Sequence, residues 1–509
     1  MAGVMRAGLV TFDFPPQYRR ADLAGRSPAL GGALAARLSD GGVQVVTPCA
    51  DLARRDPSAA GGIRDARDLQ YCLEALRSAR VDCLVIEVCH WMKISFVAQL
   101  VHELGLPTAV FAVVEDGWNG VPGASAVCGS IRELPRTRNE SLLEAFLGPG
   151  IEGLLSWIKG VTALARMRRS SLMLWGGGYG AEMPYSRGDP AAVESLLVGE
   201  VMTEQEEVLT RRAGKIQIGE HGRIVAFLSW LVDHGVEIER DGRMVTRESL
   251  DFQTALYLSA RDRLEELESG SPPDGRTIIG ASIKCHYEMS ITCAACTACF
   301  LPAFLAFGVD SEGKRDVIPF ACEGDLNGVA SLAMLHQLEP GVPPLFGDLV
   351  AYRSDHVLLR NCGASSVYWA GLSNDPAVSL PQARLRPNLH GASGAAIGYE
   401  TPACSAVTFA RLFRQNGSFA MLLGKGSILG HDAGSEYDDP WPHTRLSLGV
   451  DSRELFSAMP CNHGSLSVGD MTAEIEFLCA YAGLRVFRCD DDRDLRALRD
   501  SRGDLARQF

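Results

Sequence analysis

Short apolar, β-rich runs alternate with amphipathic helical patterns along the N-terminal part of this chain, and that alternation restricts its fold more than any other feature. The strand-like runs are "RAGLVTFDF" from Arg6, "VQVVTP" from Val43, "VDCLVIEV" from Val81 and "PTAVFAVV" from Pro107. Between them lie "SPALGGALAARLSDGG", "ARDLQYCLEALRSAR" and "FVAQLVHELGL", whose apolar residues recur at helical spacing. Strand and helix in turn predict a parallel, doubly wound sheet. Near-continuous apolar strands fit burial on both faces.

At 509 residues the chain is too long for one ordinary core, and three domains are expected. The first covers residues 1–168. The second, 169–340, opens on the strand "SLMLWGGGYG", continues through long helical patterns and the strand "IIGASIK", and ends past "PFACEGDLNGVASLAMLHQL". After "EPGVPP" short β-type segments rich in glycine take over, among them "LFGDLVAYR", "AVTFARLF" and "SFAMLLGKGSIL". They predict a β-rich third domain, 341–509, of barrel type. The fold class is therefore α/β, with two doubly wound domains followed by a β-rich one. The tail "RCDDDRDLRALRDSRGD" reads as a solvated helix or frayed end.

Composition excludes some functions. The net charge of -13 argues against nucleic-acid binding, which needs a basic surface. No signal peptide is read at the N-terminus. The run "ITCAACTACFLPAFLAFGV" (Ile291 to Val309) carries no charge, but it is single and interrupted by Pro302. It reads as a buried helix pair rather than a membrane span. A cytoplasmic location is expected, with reduced thiols at the 15 cysteines. Cys293, Cys296 and Cys299 are spaced either to begin an iron–sulfur site or to line one helix face as small buried thiols. The glycines of "WGGGYG" suit a tight turn or a phosphate cradle at a helix N-terminus.

Three residues suggest metal chemistry. Glu323, in "PFACEGDLNG", and Asp348, in "PPLFGDLVAY", each follow an apolar run. They are expected at strand ends, where α/β proteins bind ligands. His463 lies in "AMPCNHGSLSVGD". Two carboxylates and an imidazole form an oxygen-rich set suited to Mn²⁺ or Mg²⁺. Turn carboxylates and a surface histidine would give the same pattern.

The order of the segments "IKC", "ACEGDLNGVASLAML", "LFGDLVAY", "VTFARLFRQNGSFAMLLGKG", "WPHTRLSL" and "NHGSLSVGD" resembles the L-fucose isomerase family. The resemblance covers most of the second and third domains and, more loosely, the first. It implies that Glu323, Asp348 and His463 bind a divalent cation, usually Mn²⁺. It implies an aldose–ketose isomerase working through a cis-enediolate, with Glu323 and Asp348 as the acid–base pair. It also implies a homo-oligomer, a hexamer or trimer, with sites at subunit contacts. Asn462 would then bond a substrate hydroxyl or orient His463, or simply serve as a turn residue. His443, in "WPHTRL", would face the sugar or be a core histidine. Trp91 or the neighbouring His90 would reach a neighbouring subunit's sugar, or Trp91 would be structural. Two departures bear on the substrate. Asn361-Cys362-Gly363 stands where the family often has His-Cys-Gly, and "GGGYGAEMPYSR" replaces its Arg-x-x-Gly-Met segment. Both leave room for other metal-assisted sugar chemistry, epimerisation or C–C cleavage; a non-catalytic sugar-binding protein is a further alternative, against which the intact Glu323, Asp348 and His463 set argues.

Overall fold

The computed structural model describes residues 5–13, 26–56, 62–115, 118–133, 143–178, 182–269, 277–286, 289–290, 296–361, 365–388, 392–415, 417–431 and 441–503. The chain divides into two compact units. One comprises residues 2–165 and 473–481, the other 166–472 and 482–509, together with residue 1.

The N-terminal unit holds a five-stranded sheet in the order Gln44–Val46, Arg6–Val10, Cys83–Val88, Thr108–Ala112, Leu143–Leu147. All its pairings are parallel. Every residue of Cys83–Val88 and of Thr108–Ala112 is buried, as strands covered on both faces require. Helix Ala66–Ala79 starts at Asp65, whose carboxylate accepts from Arg67 N–H at 2.8 Å and Asp68 N–H at 3.0 Å. Helix Ile94–Leu104 stops at Gly105, in the left-handed region at φ 57°.

The second unit carries a four-stranded parallel sheet, in the order Phe320–Ala321, Ile278–Ile283, Ser171–Trp175, Glu200–Glu204. Its C-terminal part is a six-stranded antiparallel barrel. Strands Cys404–Gln415, His463–Val468, Leu345–Tyr352, Val357–Arg360, His443–Ser447 and Ser418–Ile428 pair in that order, and the last closes on the first. Leu345, Leu349, Leu359, Phe409 and Leu466 belong to the core. Side chains alternate along a strand, so Phe346 and Asp348 lie on the opposite face from Leu345 and Leu349.

Two sequence expectations need correction. The apolar run forms no helix pair among its described residues: Cys296 makes an isolated bridge to Ser393, and Leu301–Leu305 is one buried π-helical turn. The glycine run makes a tight turn, one of its two sequence readings. Gly176 and Gly177 turn the chain at φ 80° and 74°, and the next described helix is the four-residue turn Pro184–Arg187. The charged tail forms helix Asp492–Gly503, which is packed rather than solvated because Leu495 and Leu498 are fully buried. Cys293 lies outside the described residues. Cys296 and Cys299 are buried, and burial pushes the Cys296 thiol up to about 12.

Candidate functional site

Glu323, Asp348 and His463 come together in the second unit. His463 opens its strand and is paired directly with Asp348 across the barrel sheet, so both side chains stand on one face. Asp348 is not at a strand end, as its sequence setting suggested. It sits mid-strand, and the alternation of the Leu345–Tyr352 strand turns it away from the core. Glu323 does follow a strand, the short edge pair Phe320–Ala321. Its backbone is left-handed at φ 59°, and Gly324 follows at 63°. A non-glycine residue in that region is strained, and such strain gathers at functional sites. Gly324 has no freedom to be larger, since an added Cβ would come 2.7 Å from the Gly177 carbonyl oxygen.

The two carboxylates meet at one nitrogen. His463 Nε2 lies 3.2 Å from Glu323 Oε2 and 3.3 Å from Asp348 Oδ1. It is buried and makes no hydrogen bond of proper angle. The carboxylates are 16% and 25% exposed, so the cluster opens towards solvent on their side.

Asp325 holds the other side of the ring. His463 Nδ1 donates to Asp325 Oδ2 at 2.8 Å. Asp325 also caps helix Leu326–Leu338, accepting from Gly328 N–H at 2.9 Å. Arg411 grips it with two nitrogens, at 2.6 and 3.2 Å. Burial alone would raise the Asp325 pKa. The Arg411 and His463 charges overcome it and hold the carboxylate far below its usual range. Burial likewise opposes a charged His463, but Asp348, Asp325 and Glu323 raise its pKa well above the ordinary value. Tyr185 completes the wall. Its hydroxyl donates to Asn462 Oδ1, and its ring meets that of His463 edge-on at 5.7 Å.

Among the described residues, no set of three or more His, Cys, Asp or Glu side chains is placed to hold a metal ion as they stand. Asp348 supplies a physical reason: its Oδ1 already accepts from Asn462 Nδ2. The donor chemistry nevertheless suits a hard cation. An imidazole fixed through Nδ1 by an ionised carboxylate presents Nε2, and two further carboxylates face that atom. Ligands about 2.1 Å from one ion lie roughly 3 Å from each other, the spacing found at Nε2.

The other sequence candidates fall in different places. Asn462 links Asp348 to Tyr185 through its side-chain amide. Asn361 is buried, and its amide donates to the Phe346 carbonyl at 3.3 Å. His443 is buried in the barrel face and lines a separate cavity. Trp91 belongs to the N-terminal unit and is 48% exposed. His90, in the same unit, bonds the Trp91 carbonyl at 2.8 Å. Sequence reasoning missed Arg411 and Tyr185. A charge inside the apolar run "AVTFARLF" was the available signal for Arg411, and Tyr185 gave none.

No protein-family model and no curated protein matches this chain. Among the described residues no helix is long and apolar enough to cross a membrane.

Proposed function

We propose that the chain is a metal-dependent aldose–ketose isomerase with its site at Glu323, Asp348 and His463. The supporting observation is the meeting of two carboxylates at a buried imidazole nitrogen that has no hydrogen-bond partner. A catalyst that moves a proton between C1 and C2 of a sugar needs carboxylates to take and return it. Glu323 and Asp348 are the partly exposed acids able to do so, because Asp325 is sealed behind Arg411. A bound Mn²⁺ or Mg²⁺ would supply Lewis acidity to adjacent sugar oxygens and favour the cis-enediolate. Asp325 orients His463, and Asn462 with Tyr185 positions Asp348. The left-handed turn at Glu323 aims its carboxylate at the same point.

Calorimetric titration with Mn²⁺ tests the reading. One ion per chain is expected, with affinity lost in His463→Gln. A wild-type protein that takes up no Mn²⁺ contradicts the proposal.

A further inference from the structure

Two cysteines of the N-terminal unit face each other. Cys49 is the second residue of helix Pro48–Arg55 and Cys72 lies midway along helix Ala66–Ala79, and their sulfurs are 4.0 Å apart. Both are free thiols in the core of this unit, packed with Leu69, Leu73 and Leu76. Cys49 Sγ also donates to the Thr11 carbonyl oxygen at 3.5 Å. A thiol has one hydrogen, so Cys72 is the donor in the sulfur–sulfur contact. That donation favours a thiolate at Cys49 and holds its pKa below the ordinary thiol value, while burial opposes it.

Other contacts hold the two helices in place around the pair. The Arg55 guanidinium lies over the Tyr71 ring, 4.8 Å from its centroid. Arg64 ties the end of the first helix to the start of the second, meeting Asp56 at 2.9 Å and Asp68 at 2.7 Å. The sulfurs thus face each other without depending on their own weak bond. Reaching the disulfide bond length closes their gap by about 2 Å. Helix Pro48–Arg55 is short, and Thr47 at its start makes no side-chain cap, so its first turn is lightly held. Loss of the Cys49 hydrogen leaves the Thr11 carbonyl paired, because it also accepts from Ile63 N–H at 3.1 Å.

We propose that Cys49 and Cys72 are a reversible redox pair, oxidised to a disulfide by a peroxide within the folded chain. Cys49, 9% exposed against 0% for Cys72, meets the oxidant first. Its thiolate attacks one peroxide oxygen: an S–O bond forms, the O–O bond breaks and the second oxygen leaves as water. Cys72 sulfur then attacks the sulfenic sulfur. The S–S bond forms, the S–O bond breaks and a second water leaves with the Cys72 proton. In total the two thiols lose two hydrogens and two electrons, and one hydrogen peroxide becomes two waters. A dithiol reverses the step by exchange and is itself oxidised. The step needs neither metal nor sugar, so it stands or falls apart from the isomerase reading.

Peptide mapping by mass spectrometry on the full chain tests the pair. The reduced protein is treated with hydrogen peroxide, then denatured, alkylated and digested. The expected product is the Cys49–Cys72 peptide pair, at least about tenfold more abundant than any other cysteine pair. Dithiothreitol should restore both thiols. In Cys72→Ser, Cys49 should stop at the sulfenic acid and form an adduct with dimedone, and Cys72→Ala gives the same reading if the serine variant does not fold. The proposal is overturned if both thiols stay reduced, if either pairs mainly with another cysteine, or if the link forms only in the unfolded chain. Absence of a dimedone adduct at Cys49 in a folded Cys72 variant overturns it as well.

Discussion

Arg411 and Asp325 form a fully buried, two-pronged ion pair, and the same carboxylate that accepts from Arg411 accepts from His463 Nδ1. One acid thus caps a helix, neutralises a buried arginine and orients the candidate metal-binding imidazole. Removing a single partner of such a pair leaves an uncompensated charge in the interior. Arg411→Met is expected to destabilise the second unit by about 3–5 kcal/mol, read as a lower denaturant midpoint. An unchanged midpoint would show that Asp325 is held by other means.

Asp325→Asn separates capping from charge. Asparagine caps helices as well as aspartate, so helix Leu326–Leu338 should persist, while the buried Arg411 left without its counter-charge costs the unit about 3–5 kcal/mol. The Nδ1 partner loses its charge, however. Mn²⁺ affinity should fall about 10–100-fold, the usual cost of altering a group behind a metal ligand. Titration of the folded variant reads the change.

Gly328 lies where helix Leu326–Leu338 meets the barrel. An added Cβ would come 2.5 Å from the Phe346 ring and 2.9 Å from Asp325 Oδ2. Gly328→Ala should therefore cost about 1–3 kcal/mol through overpacking, despite alanine's better helix propensity. Thermal unfolding would reveal the opposite sign if the ring simply moved aside.

The N-terminal unit has its own pH signature. Glu87 is buried, and its Oε2 has no hydrogen-bond partner. Burial, then the nearby Cys49, raises its pKa to about 8. Its ordinary value in the unfolded chain is about 4.3, so between the two values the folded state holds a proton that the unfolded state has released. The stabilisation is complete below the unfolded value and is lost as pH rises through the folded one. The loss should be on the order of several kcal/mol across that window. Glu87→Gln should flatten the slope of unfolding free energy against pH between 5 and 8, and an unchanged slope would place the titrating group elsewhere.

Much of the fold is legible in the sequence because its strands are uniformly apolar and separated by helical periodicity. The barrel is legible from short glycine-rich β segments. Asp325 reads from sequence as a turn acid beside Glu323 or as an acid behind the metal ligands, and its capping of helix Leu326–Leu338 agrees with the first. Its grip on His463 is not legible, because that contact joins residues 138 apart. Arg411 reaches Asp325 across 86 residues and Tyr185 reaches His463 across 278. Local pattern carries no information on such pairings. The apolar run before Val309 misleads for a related reason. Its length suggests helices, but its backbone groups bond partly to a distant segment around Ser393.

The central claim is that Glu323 and Asp348 move a proton on a sugar held at His463. Proton exchange at C1 or C2, followed by NMR in D₂O with Mn²⁺ over a panel of aldoses and ketoses, tests it most directly. The account predicts exchange with at least one sugar and its loss, by about 100-fold or more, in a folded Glu323→Gln protein. Exchange that persists in Glu323→Gln, or none with any sugar while Mn²⁺ is bound, would contradict it.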